Sequence, residues 1–327
     1  METGDGEGAN AQEMQEHFAR FAHEYDDLPL YRAICLGVAN DCETASLLLR
    51  AQPGQRRPVL WLAAVHDLVL RRPDVPAARW YPSVVGRDAL PDGDPWPDVR
   101  RTVLEHADEL GDVIETRSTQ TNEVNRVVYL AVGLALSAAD VADVPVVLVE
   151  TGASAGLLLG VDRYRIELSS RTTRTLLGDP GSAVRCAGVD RSATPLQPIE
   201  LPPIVGRAGL DLRPVPLDDL EKVRWLEACL WPDVPGRVER FRAALAALRS
   251  DPPAVREGDM VDDLAETIDV ALARAGAARA HVVVFSSWAL TYVARERRAG
   301  VGAVLAALAQ QGMPVSWLTA EPPGCVP

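Results

Sequence analysis

The chain has 327 residues, 47% of them hydrophobic and 24% charged, the proportions of an ordinary globular protein. They exclude a disordered chain, a collagen and a coiled coil, and the length suits one large or two smaller domains. The formal net charge of −13 works against binding to phosphate backbones, so no nucleic-acid partner is expected.

Residues 1–10, METGDGEGAN, are acidic and glycine-rich with no apolar core, which predicts a disordered tail and no signal peptide. From there to residue 140 the pattern is helical. Met14, Phe18, Phe21 and Tyr25 recur at three- and four-residue spacing and make one apolar stripe. Helices are predicted over 31–51 and 57–72, the second with Pro58 suited to a first turn. Residues 79–98, dense in Pro, Gly and Asp, read as a loop, and 98–115 as a further helix. Residues 119–140 begin polar (TQTNEVNR) and become apolar.

At residue 141 the character changes. VPVVLVE (144–150), HVVVFSS (281–287) and MPVSWLTAE (313–321) are short apolar, β-branched runs, as in strands buried on both faces. Helical segments such as VRWLEACLW, GRVERFRAALAALRS and GVGAVLAALAQQG lie between them. The fold expected is α/β: a Rossmann-like, mostly parallel sheet with helices on both faces over 141–327, preceded by an all-helical region over 11–140 that acts as lid and substrate-recognition element. No run reaches the length of a membrane span. The five cysteines form no C-x-x-C pair, and no Cys/His spacing suits a metal, so a cytoplasmic protein with reduced thiols and no metal is expected.

The densest signal is VVLVETGASAGL, a strand, an acid at its end, a turn of small residues and an apolar run read as a helix, LLLGVDRY. Small residues let a ligand approach the backbone, and a helix N-terminus offers unpaired N–H groups. Three chemistries compete. Glu150, Gly152 and Gly156 fit the S-adenosylmethionine (SAM) pattern of acid, x, Gly, x, Gly, x, Gly, with Ser154 at the middle glycine. The dinucleotide fingerprint G-x-G-x-x-G fails on spacing. Gly152-Ala-Ser154-Ala-Gly156 also spells the nucleophile elbow G-x-S-x-G of serine hydrolases. That reading needs a histidine after Ser154, and the one available, His281, opens a strand, so it belongs at the wrong end of a parallel sheet.

VLVETGASAGLLLGVDRY, TQTNEVNR, GLDLRPVPLDD, WLEACLWPD and VVVFSSWALTYV together resemble the bacterial domain-of-unknown-function 2332 family, from residue 14 to 321. The resemblance supports a methyltransferase-like fold more than a reaction. In a class I SAM site, an acid at the end of the second strand accepts from the ribose hydroxyls. Asp211 in RAGLDLRPV is the candidate, provided an insertion separates it from Gly156. Asp259, after a short strand, would face the adenine amino group. Ser286, Ser287 and Trp288 would stand at the carboxyl edge of the sheet, with Tyr292 one turn on. Asn122 and Arg126 share a helix face by their i,i+4 spacing, with Glu123 beside them, and could orient a polar substrate. Glu123, His66 and Tyr292 are the candidate catalytic groups. The expectation is a SAM-dependent methyltransferase-like protein acting on a small molecule, with no membrane partner. A non-catalytic nucleotide or metabolite binder and a serine hydrolase using Ser154 are the alternatives.

Overall fold

A computed structural model describes residues 10–120, 122–139, 141, 144–193, 196, 199–276 and 279–326. Residues 1–9 of the expected tail lie outside the described residues. Asn10 is not tail: its side chain accepts from Glu13 N (3.0 Å) and caps the first helix. In chain order the helices are α1 (Ala11–Glu24), α2 (Pro29–Ala39), α3 (Cys42–Ser46), α4 (Pro58–Arg71), α5 (Pro82–Val85), α6 (Trp96–Glu105), α7 (Ala107–Thr116) and α8 (Val127–Ala139). There follow strands β1 (Val146–Thr151), β2 (Arg165–Ser169), β3 (Arg174–Gly178), β4 (Arg185–Val189) and β5 (Ile204–Asp211). Helices α9 (Leu220–Ala228) and α10 (Arg237–Leu248), strand β6 (Ala254–Glu257), helix α11 (Leu264–Ala275), strand β7 (His281–Ser287), helix α12 (Ala299–Gln310) and strand β8 (Val315–Ala320) complete the chain.

The elements differ from the expected ones in informative ways. The helix predicted over 98–115 is two helices, broken at His106, which leaves helical geometry between α6 and α7. That predicted over 31–51 breaks at Asn40 and Asp41, where Asp41 caps α3 through Thr44 N. The stretch expected as a loop contains α5, which Pro82 starts, and the 3-10 turn Arg87–Ala89.

Contacts divide the chain into two compact units, Met1–Thr121 with Arg224–Glu239, and Asn122–Val223 with Arg240–Pro327. The first unit is helical around Met14, Phe18, Ile34, Leu48, Trp61 and Ile114. Trp225 and Ala228 of the returning segment join that core. The segment is fastened by Asp233, whose two carboxylate oxygens accept from Leu30 N (2.9 Å) and Tyr31 N (3.0 Å). These are first-turn amides of α2, which has no local side-chain cap. Arg224 to Asp67 (2.8 Å) and Trp225 Nε1 to Ser118 O (2.9 Å) add to it.

The second unit carries a five-stranded, fully parallel sheet in the order β6-β5-β1-β7-β8. Residues opposite one another in register project to the same face. Val147, Val149, Val282 and Val284 face α11 and α12 with Ile268, Val301 and Leu305. The opposite face receives α8, where a Cβ on Gly133 would touch Leu318 of β8. Helix α8 therefore belongs with the sheet, and the division by contact falls before it rather than at residue 140. Strands β2, β3 and β4 form a separate three-stranded sheet in the order β3-β2-β4. It is the insertion that the distance from Gly156 to Asp211 requires.

Candidate functional site

The turn after β1 is built by its neighbour strand. Gly152 N and Ala153 N donate to Leu210 O (2.8 and 3.2 Å), and Ser154 N donates to Asp211 Oδ2 (2.8 Å). Gly156 N closes back on Ala153 O (2.7 Å). Gly152, Ser154 and Gly156 all have positive φ (+74°, +52° and +69°). A Cβ on Gly152 would lie 2.4 Å from Ala289 Cβ, and one on Gly156 would lie 2.8 Å from both Pro253 Cγ and Val255 Cγ2. Conformation and protein neighbours thus account for both glycines. The space expected for a ligand beside Gly152 is taken by Ala289.

The segment read as a helix, LLLGVDRY, is a 3-10 segment over Leu157–Arg163 with a non-helical Gly160. The Tyr164 hydroxyl donates to Leu157 O (2.6 Å), and the chain leaves at once for β2. No α-helix N-terminus follows the turn, so the expected set of free helical amides is not formed there.

Glu150 is buried near the end of the central strand, and its Oε2 has no hydrogen-bond partner among the described residues. Burial pushes its carboxyl well above the usual range; Asp211 adds to this and Arg126 opposes it. Arg126 Nη1 reaches Ser287 O (3.4 Å), and its guanidinium lies 5.7 Å from the Trp288 ring centroid. The register sets Glu150 opposite Phe285 and Thr151 opposite Ser286. Ser287 therefore shares the Glu150 face, whereas Ser286 lies on the other. Both serine Oγ atoms are buried and unpartnered among the described residues.

The other candidates are spread around this edge. Asp211 uses both oxygens on backbone amides, Ser154 N and Arg213 N (each 2.8 Å). Asp259 accepts from Val261 N (2.8 Å) and takes a fork from Arg297 (3.0 and 3.1 Å). Burial alone would raise its carboxyl, but these bonds outweigh it and hold the group below the usual range. Asn122 and Arg126 do not share an α-helical face, because Val124–Arg126 is a 3-10 turn capped by the Glu123 side chain on Asn125 N (3.0 Å). Glu123 also lies 3.6 Å from Arg240 Nη2. Asn122 is buried with its Nδ2 unpartnered among the described residues. Trp288 and Tyr292 are exposed.

His66 belongs to the first unit, buried in α4. Its Nδ1 lies 3.0 Å from Ala228 O, which can only accept, so Nδ1 carries the proton and Nε2 accepts from Ser83 Oγ (2.7 Å). His281 opens β7 opposite Val146, and its Nε2 meets Ser316 Oγ (2.9 Å). That is roughly 15–20 Å from the turn at about 3.3 Å per strand residue.

Sequence reasoning passed over Arg240 and Glu321. Glu321 Oε1 accepts from Ala289 N (2.9 Å) and Leu290 N (3.2 Å), while its Oε2 is buried and unpartnered among the described residues. The signal was present: Glu321 ends MPVSWLTAE as Glu150 ends VPVVLVE. A concavity of about 270 Å³ between β5, β6 and α11 is lined by none of the candidate residues. Among the described residues no helix is long and apolar enough to cross a membrane, and no group of three or more His, Cys, Asp or Glu is placed to hold a metal.

A family model described as an uncharacterized protein conserved in bacteria (DUF2332) matches residues 15–325. No curated protein and no solved structure matches the chain.

Proposed function

We propose that this chain, which belongs to the bacterial DUF2332 family, binds a SAM-type cofactor at the carboxyl edge of its parallel sheet and methylates a small molecule in a cytoplasmic setting. The strand order β6-β5-β1-β7-β8 runs 3-2-1-4-5 by position in the chain, which supports a Rossmann-like arrangement. In such sheets ligands bind outside the carboxyl ends where the order reverses, here between β1 and β7. The observation that carries the reading is Glu150: a buried carboxyl at that crevice with an unused oxygen.

Glu150, Asp211 and Asp259 are the acids proposed to hold the nucleoside and ribose, with Gly152, Ser154 and Gly156 shaping the turn beneath. Ser286 is assigned to the α11 side of the edge. The bound cofactor would supply an electrophilic methyl group, and the part of this chain would be to hold the acceptor in line with it and to take the acceptor's proton on a base. The amides of Gly152, Ala153, Ser154 and Gly156 are committed, so Asn122 and Arg126 are the better groups for a carboxylate. Glu123, His66 and Tyr292 are the base candidates. Glu123 lies against Arg240, His66 holds Ser83, and Tyr292 is open to solvent.

Calorimetric titration of SAM into the full chain tests this. Saturable binding is expected, weakened at least tenfold in Glu150→Gln, with S-adenosylhomocysteine appearing when a metabolite extract is added. No binding at millimolar SAM would overturn the cofactor; binding without turnover would leave a metabolite-binding protein. The positive φ of Ser154 favours a second reading, the hydrolase elbow. In the second unit the one described histidine is His281, at the far end of β7. Labelling of Ser154 by a fluorophosphonate probe would establish that reading, and its absence would remove it.

A further inference from the structure

Trp288 and Ser154 are the non-glycine residues with positive φ among those described. At +55°, Trp288 occupies a backbone region that bulky side chains avoid. Such strain persists only where surrounding structure enforces it, and it concentrates at functional sites. The enforcement is visible. Trp288 N donates to Ala320 O (3.1 Å), and Glu321 Oε1 gathers the next two amides, Ala289 N (2.9 Å) and Leu290 N (3.2 Å). This clamp does not bury the indole, which is 54% exposed. The ring is oriented by the Arg126 guanidinium, 5.7 Å from its centroid. A rigidly presented, open indole can stack on another planar ring. A cationic guest is disfavoured, since Arg126 already supplies the positive charge there. Next to Trp288 in the chain, at the end of β7, Ser287 Oγ is buried and unpartnered among the described residues.

We propose that Trp288 is the stacking platform for a planar aromatic substrate, with Ser287 as hydrogen-bonding partner for its polar substituent. The inference rests on reading this edge as the reaction site, but its test uses no cofactor, so the two can fail separately.

The probes are 2-naphthol, planar with one hydroxyl, and decahydro-2-naphthol, of similar size but saturated. Binding to the full chain is followed by saturation-transfer NMR. Expected are saturable 2-naphthol binding and at least tenfold weaker binding of the saturated analogue. Trp288→Asn should weaken 2-naphthol about tenfold or more, while Trp288→Phe stays within about threefold, because stacking tolerates any aromatic ring. Asparagine accepts a left-handed backbone readily, so Trp288→Asn should melt no lower than the wild type. Any of three results would overturn the proposal: no 2-naphthol binding at millimolar concentration, equal binding of the two probes, or unchanged binding in Trp288→Asn. A markedly lower melting temperature of Trp288→Asn would also overturn it, by showing that the ring serves packing.

Discussion

Gly152 and Gly276 both hold left-handed backbone, at φ +74° and +60°, yet a methyl group would meet different surroundings. At Gly276 it meets nothing within 4 Å; at Gly152 it strikes Ala289. Gly276→Ala should therefore cost only the conformational preference, about 1 kcal/mol. Gly152→Ala should cost about 1–3 kcal/mol more for overpacking. Thermal or urea unfolding of the two variants checks the order, and equal losses would refute the packing argument. Glu150 adds a pH signature. Its folded carboxyl holds the proton more tightly than the unfolded chain does. Its contribution is therefore complete below the ordinary carboxyl value and is lost as pH rises through the window above it. Glu150→Gln should match the wild type in thermal melts near pH 5 and gain on it as pH approaches about 8. Much of this edge could be located from the chain alone, since Glu150 directly ends a continuous apolar run. What filled the space beside Gly152 could not, because Ala289 comes from a distant turn. Nor could the separation of Ser286 from Glu150, which depends on the pairing register.

Among the elements, β1 and β7 were legible because both faces of their apolar runs are buried, and the half-buried edge strand β8 because its run is mostly apolar; the parallel sheet followed from them. Strands β2 to β4 were not, because buried positions alternate with half-buried ones in β2 and mix with exposed ones in β3 and β4, within five-residue spans amid polar loops. The 3-10 segment after Gly156 was misread because its composition is that of a helix; the Tyr164 bond to Leu157 O is a tertiary fact. Two acids connect elements and give direct tests. Asp233 caps α2 from two hundred residues away, and Asp233→Ala should destabilise the protein by about 1–2 kcal/mol, as loss of an N-cap does. Asp211 holds the β1 turn through Ser154 N while also taking Arg213 N. Asp211→Asn keeps one acceptor and should cost about 1–3 kcal/mol. Denaturant midpoints measure both, and an unchanged midpoint in either would show that the cap carries no weight.

The whole chain carries a net charge of −13, so like charges repel in the folded state more than in the expanded one. Raising salt from about 10 mM to about 300 mM shortens the screening length several-fold and should raise the melting temperature. A flat or falling melting temperature would mean that paired charges, such as Asp67 with Arg71 and Arg224, outweigh the net repulsion. The chain's division by composition and its division by contact differ because the latter depends on a return path. Residues 224–239 read as ordinary linking sequence, yet they complete the helical core with Trp225 and Ala228.

That return path sets a schedule for biosynthesis. The helical unit is begun first by the ribosome but cannot close until residues 224–239 follow the opening stretch of the second unit. Between Thr121 and Arg224 lie roughly a hundred residues, about 5–20 s of synthesis at about 5–20 residues per second. Throughout that interval the nascent helices lack Trp225 in their core and Asp233 on α2, and their apolar surface waits uncovered. The first helices thus wait for their own closing segment, and the interval is when a nascent-chain chaperone would find most to hold.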